Sequence, residues 1–202
     1  MPQNPLNLVV LVSGNGSNLQ AIIDAMQHGM LKSQIKCVIS NVPNIMALDR
    51  AQKAGIPTQV VSSKGVEKEE FQNNLLQTVV NAKPDLIVLA GFMKILSKEF
   101  VHAFKDRIIN IHPALLPKFP GLKAVRQALD AKVNETGCTV HLVDEGCDTG
   151  PILVQKKVPV LKNDTEETLH RRIQVEEHKA IVEAVKLFEG QNNFRCFPLP
   201  SE

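Results

Sequence analysis

The sequence predicts an α/β protein. It reads as an open, twisted sheet, mostly parallel in the N-terminal half and mixed in the C-terminal half, with helices on both faces. Three observations carry this. Short apolar runs of strand length alternate with stretches of helical period through the first half. The first run, LNLVVLV, ends in a Gly-rich turn, SGNGSN, and passes directly into helical spacing, LQAIIDAM. In the second half, CTVHLV and ILVQKKVPV are joined by DEGCDTGP, a hairpin-like connection that implies mixed strands.

The elements follow in order. Leu6 to Val12 is a strand, and the helix after the turn runs through Ala25 and Met26. Ile35 to Ser40 is a second strand. Ile45 to Ala54 is a helix stopped by Gly55 and Pro57. Thr58 to Val61 is a third, short strand, and Glu67 to Ala82 a long helix that ends before Lys83-Pro84. Asp85 to Ala90 is apolar almost throughout, as a strand covered on both faces must be. Ser97 caps a short helix that carries Glu99 in its first turn. Arg107 to Ile111 is the next strand. After the proline-rich stretch 112–121, Leu122 to Ala131 is helical, and then come the strands Cys138 to Val143 and Ile152 to Val160. Asp164 or Thr165 caps a final long helix to about Phe188, with Glu166 and Glu167 near its positive end. Strand–helix alternation of this kind specifies βαβ units and a Rossmann-like sheet. One continuous domain over 1–202 is expected. Its first half, 1–100, holds the phosphate-binding turn, 101–190 the polar strand end, and 191–202 a loose tail.

Bulk composition narrows the function. The chain has 202 residues, 44% hydrophobic and 22% charged, enough for a sizeable core. A net charge of +2 points to neither nucleic acid nor a membrane surface, and with no Trp or Tyr there is no platform for stacking bases. The four cysteines, Cys37, Cys138, Cys147 and Cys196, form no C-x-x-C pair. MPQNPLNLVV is not a secretory signal, and no apolar run approaches the ~20 residues of a membrane helix. A cytoplasmic protein with reduced thiols is expected.

Three stretches can carry chemistry. In SGNGSN, residues 13 to 18, Gly14 and Gly16 let the backbone turn tightly at a helix start, where free N–H groups and the Ser17 hydroxyl suit a phosphate. A dinucleotide fingerprint fails, because Leu19 stands where a third Gly belongs and the second strand ends in Ser40-Asn41 without an acid. There is no G-K-[ST] either, so a single phosphate fits better than NAD or ATP. The stretch also suits a plain strand-to-helix turn. Next, the run IINIH places Asn110 and His112 two apart at a strand end, on one side of the strand. In open α/β sheets the ligand crevice lies at the carboxyl ends of the strands. An amide donor beside an imidazole suits a developing oxyanion, although a histidine can also simply finish a strand. Last, DEGCDTGP supplies Asp144, Glu145 and Asp148. A carboxylate beside His112 favours the imidazolium. Glu145 fits better as a solvated turn residue. A metal triad of His112, His141 and Asp148 is the weaker alternative, since the spacing matches no metal signature and His141 sits mid-strand.

Taken together and in this order, SGNGSNLQAIIDA, DLIVLAGFMKIL, INIHPALLPKFPGL and CTVHLVDEGCDTGPILVQ resemble the phosphoribosylglycinamide formyltransferases, a folate-dependent family of purine synthesis. The resemblance runs over nearly the whole chain. It implies transfer of a formyl group from 10-formyltetrahydrofolate to the amine of glycinamide ribonucleotide, without a metal. By position it implies that Asn110, His112 and Asp148 are catalytic. Gly16, Ser17, Asn18, Gln174 and Glu177 would hold the ribonucleotide. Lys68, Met93, Lys94, Ile95, Leu96 and Asn110 would contact the folate. There are departures. Lys94 replaces a frequent Arg, Lys68 stands where some members carry Arg, and Lys123 and Val125 follow Pro-Gly-Leu where some carry His. Small-molecule substrates only, no nucleic acid or membrane partner, and a monomer or weak homodimer are expected.

Three other readings compete. A formyltetrahydrofolate deformylase-type hydrolase shares the H-P-x-x-L-P block but carries an N-terminal regulatory domain, for which a fold starting at Leu6 leaves no room. A tRNA-directed relative carries an extra C-terminal domain, and this chain ends soon after its long helix. A non-catalytic phosphate-binding module would explain SGNGSN and leave Asn110, His112 and Asp148 without a role.

Overall fold

Alternating aliphatic side chains make strand β1 (Asn7–Val12) the centre of a two-sided core. Leu8, Val10 and Val12 face one apolar cluster, and Val9 and Leu11 face the other. All of these are fully buried, worth about 1.5–3 kcal/mol per side chain. The structure is a computed structural model that describes residues 5–190. The segment 191–202, expected to be loose, lies outside the described residues.

From β1 the chain runs through α1 (Ser17–Gln27), β2 (Gln34–Ser40), α2 (Met46–Lys53), β3 (Thr58–Val60) and α3 (Lys68–Ala82). It continues through β4 (Leu86–Leu89), α4 (Lys98–Ala103), β5 (Ile108–His112), α5 (Ala124–Asp130), β6 (Glu135–Leu142), β7 (Ile152–Pro159) and α6 (Glu166–Glu189). Every strand and helix read from the sequence is present. Ser97 caps α4, its Oγ accepting from Phe100 N at 3.2 Å. Of the two candidates at the start of α6, Thr165 is the cap, in a reciprocal box with Thr168. Asp164 instead accepts two bonds from Arg172, at 2.6 and 2.8 Å.

One boundary differs materially. β6 begins at Glu135, ahead of the expected Cys138, because Glu135-Thr136-Gly137 pairs with Lys157–Pro159 of β7. Gly137 hid this extension, since glycine weakens a strand signal. Here it permits a close approach: a Cβ at Gly137 would lie 1.9 Å from Lys156 O.

The strands form one sheet in the order β3-β2-β1-β4-β5-β6-β7. Neighbours from β3 to β5 are parallel, while β5–β6 and β6–β7 are antiparallel. The mixed second half is therefore as expected. Helices α1, α2 and α6 cover one face, and α3 and α4 the other. Since β1 lies between β2 and β4, the connections diverge on its two sides. Such a divergence opens a crevice at the carboxyl ends of the central strands. The turn after β1, the segment after β4 and the end of β5 all meet that edge.

Candidate active site

Polar side chains at the end of β5 are placed by strand alternation. Ile109 and Ile111 face the larger apolar cluster, so Asn110 and His112 project together from the opposite face. Antiparallel pairing sets His141 of β6 directly across from Asn110. The Nδ2 of Asn110 lies 3.2 Å from His141 Nε2 and donates to Asp148 Oδ1 at 3.3 Å. His112 sets Nδ1 3.3 Å from Asp148 Oδ2 and Nε2 2.8 Å from Phe119 O. Both of its ring nitrogens thus face acceptors, a pattern that an imidazolium satisfies in full. His141 turns Nδ1 to Leu142 O at 2.8 Å and Nε2 to Asp148 Oδ1 at 3.4 Å. Side-chain exposure is 5% for His112, 2% for His141 and 11% for Asp148.

Asp148 reaches this cluster from the loop between β6 and β7. Its backbone is left-handed, at φ 58°. The loop is braced from inside: Asp144 Oδ1 accepts from Gly146 N at 3.0 Å and from Thr149 Oγ1 at 2.7 Å. It is tied outside as well, since Glu145 pairs with Lys98 at 2.9 Å and His102 at 2.6 Å of α4. Gly121 N donates to Asp148 Oδ2 at 2.8 Å, so the 113–123 loop closes over the carboxylate. These contacts hold the Asp148 carboxyl down at about 2, first through the His141 hydrogen bond, then the Gly121 N–H and the charge of His112, against the opposing effect of burial.

At the end of β1, Gly16 takes φ 76° and Ser17 opens α1. The first helical bond is Gln20 N to Gly16 O, so the N–H groups of residues 17–19 precede it and point out of the helix end. Asn18 is buried and its Nδ2 donates to Glu177 Oε2 of α6 at 3.3 Å. Its Oδ1 is buried without a partner among the described residues. Burial raises the Glu177 carboxyl, and the Asn18 bond offsets only part of this. Gln174 lies one turn earlier on α6 and is half-buried.

After β4, Met93, Lys94 and Ile95 are exposed, while Leu96 turns into the core between α3 and α4. This segment is held at both ends. Met93 N donates to Ser13 Oγ at 2.8 Å, and Ser13 in turn to Asn41 Oδ1 at 2.6 Å. Gln72 of α3 donates to Ile95 O at 2.9 Å and accepts from Ser97 N at 2.9 Å. Lys68 is exposed at the start of α3. Lys123 is exposed and Val125 packs inward.

Comparison with known proteins bears on what this edge does. Residues 6–185 match the formyl transferase family. The chain belongs to that family. It is 45% identical over 174 residues to the phosphoribosylglycinamide formyltransferase of Escherichia coli (strain K12), covering 86% of this chain and 82% of that protein. It is 50% identical over 183 residues to the trifunctional purine biosynthetic protein adenosine-3 of Drosophila pseudoobscura pseudoobscura, covering 89% of this chain. The match spans only 13% of the length of that relative. Among solved structures, glycinamide ribonucleotide transformylase 1 from Symbiobacterium toebii superposes with a TM-score of 0.89 at 42% identity, covering 92% of this chain and 88% of that one. A formyltetrahydrofolate deformylase from Pseudomonas syringae pv. tomato superposes with a TM-score of 0.85 at 28% identity, over 91% of this chain and 61% of the other.

The polar cluster at the end of β5 is larger than Asn110, His112 and Asp148. His141 belongs to the cluster through Asn110 and Asp148. Its signal was the β5–β6 register, which no local pattern prints. Ser13, the first residue of SGNGSN, and Asn41, at the end of β2, brace the crevice together with Gln72, which belongs to no motif. Among the described residues, no group of His, Cys, Asp and Glu side chains is arranged to hold a metal ion. No helix there is long and apolar enough to cross a membrane.

Proposed function

We propose that the protein transfers the formyl group of 10-formyltetrahydrofolate to the amine of glycinamide ribonucleotide, in purine synthesis. The observation that carries this is the convergence of Asn110, His112 and Asp148 on the edge where the Gly-rich turn also opens. In this reading the ribonucleotide phosphate sits at Gly16, Ser17 and Asn18. Gln174 and Glu177 contact the rest of the ribonucleotide from α6. The folate lies along Lys68, Met93, Lys94 and Ile95 and reaches Asn110. Leu96 contributes its backbone, since its side chain is in the core.

Chemistry follows from where charge develops. The neutral amine attacks the formyl carbon, and the carbonyl oxygen becomes an oxyanion. Asn110 Nδ2 and the charged His112 ring donate to it; one such donor is worth roughly 3–4 kcal/mol. To donate, His112 Nε2 exchanges the Phe119 carbonyl for the substrate oxygen. Asp148, anionic at neutral pH, faces His112 Nδ1 and takes the amine's proton directly or through a water. His141 holds Asp148 and Asn110 in register. The oxyanion then collapses, the bond between the formyl carbon and the folate N10 breaks, and the proton taken from the amine passes to that departing nitrogen, so no covalent enzyme intermediate is needed.

The test is conversion of 10-formyltetrahydrofolate to tetrahydrofolate with and without glycinamide ribonucleotide. Conversion that requires the ribonucleotide is expected. Equal conversion without it, with release of formate, would make the protein a deformylase, the reading that its likeness to the Pseudomonas enzyme supports. No conversion by folded protein would leave a phosphate-binding module.

A further inference from the structure

Arg50, on the inner side of α2, has no place in the chemistry above, yet two of its donors are committed to one residue of the Gly-rich turn. Its Nε donates to Asn15 O at 2.9 Å, and its Nη2 to Asn15 Oδ1 at 3.1 Å. Nη1 donates to Gln20 Oε1 at 3.2 Å, and Gln20 passes the contact to Asp24 Oδ1 at 2.8 Å. Arg50 thus reaches Asp24 only through the Gln20 side chain. Among the described residues no carboxylate pairs with Arg50 directly, so its charge stays uncancelled beside the turn.

The helix that carries Arg50 makes a second brace. Ala47 N donates to Gly14 O at 3.2 Å. Two successive carbonyls, of Gly14 and Asn15, are therefore both turned toward α2. In a trans peptide the N–H points opposite to the C=O. Fixing those oxygens on α2 aims the N–H groups of Asn15 and Gly16 the other way, beside those that open α1. That is the arrangement in which consecutive backbone N–H groups receive an anion. The carbonyl oxygens, which would repel it, face donors instead. Gly16 lets α2 come this close: a Cβ there would lie 2.6 Å from Ala47 Cβ and 2.8 Å from Ala47 Cα.

We propose that Arg50 is a positioning residue for the phosphate end of the site: its guanidinium clamps the Asn15–Gly16 peptide so that the turn presents N–H groups to a phosphomonoester. This rests on the reading that SGNGSN receives the ribonucleotide phosphate. The fork grips both the carbonyl and the side chain of Asn15, which a lysine ammonium does not reproduce. Arg50 therefore acts on affinity for the phosphate end and not on the reacting atoms.

Ribose 5-phosphate is the probe, titrated calorimetrically into wild-type protein, Arg50→Lys and Arg50→Gln, with thermal melts to establish folding. Both variants are expected to bind it about tenfold more weakly, Lys no better than partway between wild type and Gln. The KM for glycinamide ribonucleotide rises by a similar factor, while kcat and the KM for the folate stay within about twofold. Should either Arg50 variant melt before titration, Asn15→Ala, which removes only the side-chain half of the grip, still has to show a measurable loss. Variants that fold and bind ribose 5-phosphate like wild type overturn the clamp, as does a loss confined to kcat. A wild-type protein with no affinity for ribose 5-phosphate overturns the phosphate reading of the turn, and the clamp with it.

Discussion

Asp148 and Glu177 are carboxylates at two ends of the same candidate site, and their surroundings push them in opposite directions. Asp148 meets Asn110, His112, His141 and the Gly121 N–H, and these donors hold its carboxyl down at about 2. Glu177 meets the Asn18 amide, and burial raises its carboxyl. Both are largely hidden from water. What differs is the supply of donors, which decides whether a buried carboxylate is stabilised as an anion or pushed toward neutrality. The end proposed as catalytic is thus built around a carboxylate that its donors hold as an anion. The end proposed for the ribonucleotide holds a carboxyl that burial raises, and beside it the Oδ1 of Asn18 is buried without a partner among the described residues.

The sharpest way to break this comparison is to remove each end separately. His112→Ala and Asp148→Asn are each expected to lower kcat by about 10²–10³, since the developing oxyanion loses a donor or the carboxylate that faces that donor. Ribonucleotide binding, measured by titration, should change little in either. Turnover near wild type in one of them would sink the catalytic assignment.

Acid unfolding separates the two carboxylates next. Asp148 lies at about 2 when folded, against an ordinary 3.8, so it stabilises the fold fully above the ordinary value. That contribution, roughly 2 kcal/mol, is lost as pH falls from there toward 2. Asp148→Asn should therefore flatten the acid limb of a plot of melting temperature against pH. An unchanged acid limb would mean that the donors around Asp148 do not hold it as the geometry suggests.

Much of this arrangement was legible in the sequence, and what was not has a physical reason. The run Ile108-Ile109-Asn110-Ile111-His112 announces a buried strand with two polar residues on one side, because side-chain alternation is local. The Gly14–Gly16 turn is legible for the same reason. His141 was legible as a histidine among aliphatics and as a third member of a weak metal triad with His112 and Asp148, not as a neighbour of Asn110. Its place beside Asn110 depends on strand register between segments 31 residues apart. Gln72 reads as one more polar residue of a helix until α3 packs against residues 95–97. The extension of β6 was masked by Gly137, whose missing side chain erases the pattern and also admits the neighbouring strand.

A smaller effect is expected at the ribonucleotide end. Glu177→Gln keeps the shape and one acceptor for Asn18 but removes the ionisable oxygen. The KM for the ribonucleotide should rise about tenfold with kcat changed less, the pattern of lost ground-state binding. The pH dependence has the opposite sign to that of Asp148. A raised carboxyl stabilises the fold fully below its ordinary 4.5 and loses that contribution as pH rises through its folded value. Glu177→Gln should thus hold its melting temperature better than wild type as pH rises above that ordinary value. If the two proteins melt in parallel there, burial does not govern Glu177 and the contrast with Asp148 fails.

The smallest change concerns how Asp148 is presented. Its left-handed backbone is unusual for a residue with a side chain, so the loop must hold it there. Asp144 does this from inside, bonding Gly146 N and Thr149 Oγ1 with one oxygen. Asp144→Ala leaves both donors to water and lets the loop relax, which should lower kcat about threefold to tenfold while ribonucleotide binding stays put. Asp144→Asn retains an acceptor at the same place and should restore most of the rate. Were Asn as poor as Ala, the negative charge of Asp144 would matter more than the turn it closes. The catalytic end would then depend on a second anion, in place of the single charge that sets it apart from the ribonucleotide end.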